Sequence, residues 1–252
     1  MAFGKWTDHE ARAWLETPLG RSLLALETRL VEDALDGVFG EETLQLGHWG
    51  EPRALLRYAR TQRAAVLADS VADGVPNQAL GDYHRLPVDS DSIDSVIMPH
   101  TLDFADRPHA ILREVHRVLR ADGHVLILGF RPGGLWGLRR LVPGAGMPPG
   151  AADLLSDRRL KDWLRLLDMR IQKSKGYFFR WPIAGSRNAA VSRWEQVGQR
   201  WWSELSACYI LSAQKRISTL TPVRPVWSAR PKVVAGLEPT TRASRIRFEQ
   251  DS

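Results

Sequence analysis

The chain has 252 residues, 44% apolar and 25% charged, the balance of a soluble globular protein with one large domain or two small ones. A single cysteine, Cys208, excludes a disulfide framework within the chain and fits a reducing, cytoplasmic setting. No apolar run is long enough to span a bilayer, and the opening MAFGKWTDHE lacks the apolar core of a signal peptide. The formal net charge is +6, of which residues 222–252 carry +3, so the folded part is not strongly basic and nucleic-acid binding is possible but unforced.

In chain order, Thr7 and Glu10 of TDHE have the spacing of a capping box. Thr17 caps a second helix, with Pro18 in its first turn and Leu19, Leu23, Leu26 and Leu30 at helical spacing until Gly37 ends it. Residues 1–40 therefore read as an N-terminal helical extension that packs over the sheet.

Strands and helices then alternate. Strands are predicted at 43–47, 64–69, 78–82, 92–99 and 124–130. The first runs into TLQLGHWGEP, where Gly47 follows the strand and a helix is predicted to begin at Glu51-Pro52. Before the last, DRPHAILREVHRVLRADG reads as a helix capped by Asp106, with Ile111, Val115 and Val118 as its inner stripe and Gly123 at its end. HVLILGF is apolar almost throughout, as a central strand covered on both faces requires. The alternation predicts an α/β protein with a Rossmann-like, mostly parallel sheet and helices on both faces.

Beyond residue 130, RPGGLWGLRRLVPGAGMPPG reads as a long loop. SDRRLKDWLRLLD is a capped helix with Leu160, Trp163, Leu164 and Leu167 on one face, and MRIQKSKG is a strand. NAAVSRWEQVGQRWWSEL reads as a Trp-rich helix and ACYILSAQKR as a last strand. From about Thr221 the text is rich in Pro, Arg and Ser without periodicity. The domain plan is thus an extension at 1–40, an α/β domain at 41–220 and a disordered basic tail at 221–252.

Residues 81–130 place Gly81-Asp82, then Leu86-Pro87, then Asp94 at the start of a strand, then RVLRADGHVLI. This ordered set resembles the second half of a class I S-adenosylmethionine-dependent methyltransferase of the type 11 group. GFRPGGLWGLRR is similar to the text after strand five in a bacterial subgroup of such proteins. The resemblance implies a seven-stranded sheet whose last strand, ACYILSAQKR, runs antiparallel. It also implies S-adenosylmethionine as cofactor, lying across the carboxyl ends of the first strands.

Carried over residue by residue, the resemblance makes Gly47, His48, Trp49 and Gly50 the cofactor loop. Gln45 stands where the family has an acidic residue, Trp49 where it has a second glycine, and Gly50 is displaced by one. Such a loop brings backbone close to the methionine moiety, and the N-terminus of the following helix favours that moiety's carboxylate. Trp49 either faces the sulfonium, a cation–π contact of about 0.5–2 kcal/mol, or packs against the N-terminal helices.

Asp69 matches the acid that accepts the ribose hydroxyls, with a solvated loop acid as the alternative. Only 13 residues separate Asp69 from Asp82, too few for the helix the family places there. Asp82 matches the acid that receives the adenine amino group, with the Tyr83 backbone beside it; the alternative is an Asx turn. Pro99 and His100 stand where the family lines cofactor and acceptor. His100 titrates near neutrality and is a candidate general base, or else a structural loop cap. Asp94 reads as structural.

Other chemistries find no pattern. His109 and His116 are seven residues apart, which together with the single cysteine leaves no metal site. Neither a Gly-x-Ser-x-Gly elbow nor a phosphate loop occurs. The resemblance therefore implies an S-adenosylmethionine-dependent methyltransferase. Its methyl acceptor is unidentified, with contacts expected from loops 131–155 and 174–190, and its oligomeric state is unknown. The departures at Gln45 and Trp49 support the alternative, a catalytically inactive methyltransferase-like binding or regulatory protein. RNA binding through the tail is a third reading, and it would show as a salt-sensitive affinity lost on deletion of 222–252.

Overall fold

Seven strands form one sheet in the order β3-β2-β1-β4-β5-β7-β6 in a computed structural model that describes residues 13–51, 53–69, 77–134, 154–179 and 206–216. The strands are β1 (Phe39–Leu46), β2 (Arg60–Ala68), β3 (Gln78–Leu80), β4 (Ile93–Pro99), β5 (Leu119–Phe130), β6 (Met169–Tyr177) and β7 (Cys208–Lys215). β3, β2, β1, β4 and β5 pair in parallel, whereas β7 runs antiparallel to both β5 and β6. Strand order reverses between β1 and β4, and at such a switch point the carboxyl ends of the strands leave a crevice. The Rossmann-like plan and the antiparallel last strand agree with the sequence.

Among the described residues three helices cover the two faces: α1 (Pro18–Leu35), α2 (Pro108–Val118) and α3 (Asp157–Leu166). Alternation along the strands sends Val66, Ile97, Leu126 and Leu128 into one core with Leu23, Val31 and Leu35 of α1. Leu44, Leu46, Val96, Met98, Val125 and Ile127 enter the other, against Ile111, Val115 and Val118 of α2 and Leu160 and Leu164 of α3. Each fully buried Leu or Ile stabilises by about 1.5–3 kcal/mol, so the two layers clamp the sheet from both sides. Among the described residues no helix is long and apolar enough to cross a membrane.

α1 starts as its sequence requires. The Thr17 hydroxyl accepts the backbone N–H of Gly20 at 3.1 Å, and Pro18 follows in the first turn. Its buried stripe is Gly20, Leu23, Glu27, Val31 and Leu35. Leu19, Leu26 and Leu30 are only partly buried. A carboxylate therefore occupies the middle of the helix's inner face.

Three local expectations change. The helix expected from Glu51-Pro52 is replaced by a single 3-10 turn, Leu56–Tyr58. Gly50 (φ +73) and Arg53 (φ 63) adopt left-handed conformations, which interrupt a right-handed helix at its first turn. α2 begins after Arg107 rather than on an Asp106 cap, and it ends at Val118, well before Gly123. Leu119 is already extended and opens β5; the register shift against Ile93 and Ser95 absorbs the residues before His124, with Asp122 at φ 61. The Thr7–Glu10 box, most of the 1–40 extension's first helix, the Trp-rich segment and the 221–252 tail lie outside the described residues.

At the amino ends of the strands, Asp94 is structural, as expected. Its Oδ2 accepts the backbone N–H groups of Glu41 at 2.7 Å and Glu42 at 2.8 Å, and Arg120 pairs with its Oδ1 at 3.1 Å. Burial pushes this carboxyl up, but the amides of Glu42 and Glu41 and the Arg120 guanidinium outweigh it and hold it below its usual range. A Cβ on Gly40 would lie 2.5 Å from Asp94, so the carboxylate stands directly over a glycine.

Candidate functional site

The loop after β1 stands at the switch point. Gly47 has φ +86, a conformation that glycine adopts without a side-chain clash. Its N–H donates to the Leu67 carbonyl at 2.8 Å, and the Thr101 hydroxyl donates to the Leu46 carbonyl at 2.5 Å. The end of β1 is thereby tied to β2 on one side and to the segment after β4 on the other. A Cβ on Gly47 would meet Thr101 Oγ1 at 3.4 Å and the Tyr83 hydroxyl at 3.5 Å, so these two side chains face the glycine.

The two side chains between Gly47 and Gly50 diverge. His48 Nε2 lies 3.0 Å from Gln78 Nε2 at the start of β3. Trp49 turns the other way and is buried, its indole N–H donating to Glu27 Oε2 of α1 at 2.6 Å. Its ring stacks obliquely on His100, with centroids 4.2 Å apart, and meets Phe130 edge-on at 6.2 Å. Of the two readings of Trp49, packing beneath α1 describes its position. Gln45, pointing forward from β1, donates from Nε2 to the Gly47 carbonyl at 2.9 Å, while its Oε1 is buried without a partner.

Pro99 ends β4, and His100 follows in a left-handed conformation with φ 57. The His100 N–H donates to the Leu128 carbonyl at 2.9 Å, which holds the residue over β5. Its imidazole is fully buried between two carboxylates, with Nε2 2.9 Å from Glu27 Oε1 and Nδ1 2.9 Å from Asp103 Oδ2. A carboxyl group beside each ring nitrogen favours the doubly protonated ring. Burial pulls its pKa down, but the Glu27 charge and the bonds to Asp103 and Glu27 raise it from 6.5 to about 9. At Asp103 burial wins over the pull of His100, and that carboxyl stands above its ordinary value. The Phe130 N–H also donates to Asp103 Oδ2 at 2.9 Å, and the Tyr177 hydroxyl donates to Glu27 Oε1 at 2.7 Å. Burial and then the Glu27 charge push the Tyr177 phenol well above its usual pKa.

The other candidates sit on the β2 and β3 side. Asp69 is exposed at the end of β2; the Tyr83 hydroxyl lies 3.2 Å from its N–H and 3.5 Å from its Oδ1. Asp82 adopts the Asx turn: its Oδ1 accepts the His84 N–H at 2.8 Å and pairs with His84 Nδ1 at 2.8 Å. The backbone bond from His84, followed by its side-chain bond, lowers the Asp82 pKa. The structure thus brings Gly47, Asp69 and Tyr83 together and gathers Trp49, Pro99 and His100 into a separate, buried group. Glu27, Asp103, Thr101 and Tyr177 join these groups and carry no motif in the sequence. The one local sign was Glu27 itself, four residues after Leu23 and four before Val31 on the buried stripe.

Residues 39–127 match a family model described as a methyltransferase domain. The chain is 36% identical over 118 residues to the uncharacterized protein YafS of Escherichia coli strain K12, a match covering 46% of this chain and 49% of YafS. It spans about half the length of the curated relatives it matches first. Among solved structures, it is similar to the putative methyltransferase in complex with the Haloferax volcanii Trm112 methyltransferase activator. That likeness has a TM-score of 0.57 at 15% identity and covers 82% of this chain and 98% of the other. A SAM dependent methyltransferase from Aquifex aeolicus gives a TM-score of 0.53 at 16% identity, covering 83% and 99%. Residues 39–127 thus match a methyltransferase domain, and the seven-stranded, mostly parallel sheet with its antiparallel β7 has the α/β fold of these solved methyltransferases.

Proposed function

We propose that the domain binds S-adenosylmethionine at the carboxyl ends of β1, β2 and β4 and transfers its methyl group to an acceptor. The observation that carries this reading is the surround of Gly47. Its φ of +86 directs the missing Cβ toward Thr101 and Tyr83, and beside its carbonyl stands Gln45 Oε1, a buried acceptor without a partner. A buried acceptor left in this state suits a donor from a ligand, and the amino group of the cofactor's methionine end is one. Asp69 would hold the ribose hydroxyls, since a carboxylate offers acceptors alone to two donors. Tyr83, set by the Asx turn of Asp82, would stand beside the base. The backbone of Gly47, His48, Trp49 and Gly50 would hold the methionine end. With a single 3-10 turn after the loop, no helix dipole contributes there.

When bound, the cofactor supplies both the methyl group and its own leaving group. The protein's part is to align an acceptor with it. His100 is not the general base in this arrangement, because its ring is buried, protonated and committed to Glu27 and Asp103. The acceptor would be recognised by segments 131–155 and 174–190, in a cytoplasmic setting; 174–177 belong to β6, and 135–153 and 180–190 lie outside the described residues.

A second reading, a catalytically inactive binding or regulatory protein on the same fold, is favoured by the burial of Trp49 against Glu27. Calorimetric titration with S-adenosylmethionine and with its demethylated product separates the two. The transferase reading expects micromolar binding that Asp69→Ala weakens about tenfold, the loss of roughly 1.4 kcal/mol. Absence of heat and of any thermal shift at millimolar ligand would establish the inactive scaffold.

A further inference from the structure

Glu27 is a carboxylate with no exposed surface, set in the middle of the apolar face of α1. A helix that served only to cover the sheet would carry an apolar residue there, because a buried charge is costly unless it is paired and hydrogen-bonded. Glu27 is paired and bonded by three donors: Trp49 Nε1 at 2.6 Å, His100 Nε2 at 2.9 Å and the Tyr177 hydroxyl at 2.7 Å. They come from the loop after β1, the end of β4 and the end of β6.

The start of the loop is tied to β2 through the Gly47 N–H and to Gln45 through the Gly47 carbonyl, and Trp49 stacks on His100; Glu27 is the partner that reaches the loop from α1. Gly47 and Gly50, at φ +86 and +73, are pivots on either side of His48 and Trp49. Among the described residues between Gly50 and β2 the one helical element is the turn Leu56–Tyr58. Between the pivots, His48 meets Gln78 on the β3 side and Trp49 meets Glu27 on the α1 side.

We propose that Glu27 is a positioning residue of the cofactor site: from α1, outside residues 39–127, it fixes the stance of the glycine loop through the Trp49 indole. This rests on the cofactor reading above only for its consequence in binding. The ordering of the loop is a property of the chain alone.

Hydrogen exchange of the full-length protein, followed by mass spectrometry over residues 46–56, tests it in the wild type, Glu27→Gln, Trp49→Phe and Val31→Ala. Gln cannot accept from all three donors without turning an N–H toward one of them. Trp49→Phe keeps a ring but removes the N–H. Val31→Ala weakens the same buried stripe one turn along without touching the carboxylate. Glu27→Gln and Trp49→Phe are expected to speed loop exchange about tenfold or more, while Val31→Ala changes it no more than the rest of the domain. In parallel titrations the first two weaken S-adenosylmethionine binding about tenfold and Val31→Ala leaves it at the wild-type value. Wild-type exchange rates in Glu27→Gln, or equal acceleration in Val31→Ala, overturn the proposal. A wild type that binds no S-adenosylmethionine overturns the cofactor reading instead, and the exchange rates still decide the role of Glu27.

Discussion

The indole N–H of Trp49 meets the Glu27 carboxylate at 2.6 Å, joining the loop after β1 to the helix that precedes the sheet. Both groups are buried, and Glu27 keeps two further donors when the indole is removed. Trp49→Phe is therefore expected to cost about 1.5–3 kcal/mol, the range for one hydrogen bond to a charged group. Glu27→Ala strips the His100 imidazolium of one of its two carboxylates inside the core and is expected to cost more, about 3–5 kcal/mol. Urea unfolding of the two variants checks the order; equal losses would contradict it.

The same cluster makes stability depend on pH in a definite direction. His100 has a folded pKa of about 9 against an ordinary 6.5, so its contribution is complete below 6.5 and is lost as pH rises through 9. Asp103, also raised in the folded state, adds a loss of the same sign at lower pH. Chemical unfolding at a series of pH values is expected to show stability falling across the window from 6.5 to 9, with the slope reduced in His100→Asn. A flat profile in the wild type would show that the imidazole is neutral.

Gly47 carries a conformational requirement that alanine does not meet. At φ +86 a side chain is strained whatever space it finds, and the nearest atoms, on Thr101 and Tyr83, are 3.4 and 3.5 Å from its Cβ. Gly47→Ala is expected to lose about 1–2 kcal/mol of stability and to weaken S-adenosylmethionine binding, read by thermal shift and calorimetry. Unchanged affinity would place the ligand elsewhere.

Asp94 serves as the counter-case at the opposite ends of the strands. It binds two backbone N–H groups of β1 and the Arg120 side chain. Asp94→Ala is expected to destabilise by about 2–3 kcal/mol while leaving cofactor affinity as in the wild type. Its lowered pKa means that this contribution is present above 3.8 and is lost as pH falls through the folded value. Calorimetry beside acid titration of the two proteins checks both halves.

The frame was legible in the amino-acid sequence. The apolar blocks around Leu44, Val66, Val96 and Val125 announced parallel strands buried on both faces, and all four lie in the sheet. Gly81-Asp82, Leu86-Pro87, Asp94 and RVLRADGHVLI pointed to the family through their order alone. These signals are local: a strand between two helical layers must be apolar throughout, and that shows within a few residues.

The partners of the candidate site residues came from packing across the sheet. The sequence left Trp49 two readings, and its indole turns to α1; nothing near His100 indicated two carboxylates. Asp82 carried the same letters for an adenine contact as for the Asx turn it makes. The helix expected after Gly50 gave way to left-handed residues and one 3-10 turn. Range accounts for the difference. Strand and helix follow from the periodicity of neighbouring residues, whereas the partners of a buried charge are chosen by packing: Glu27 and His100 are 73 residues apart, and Glu27 and Tyr177 are 150.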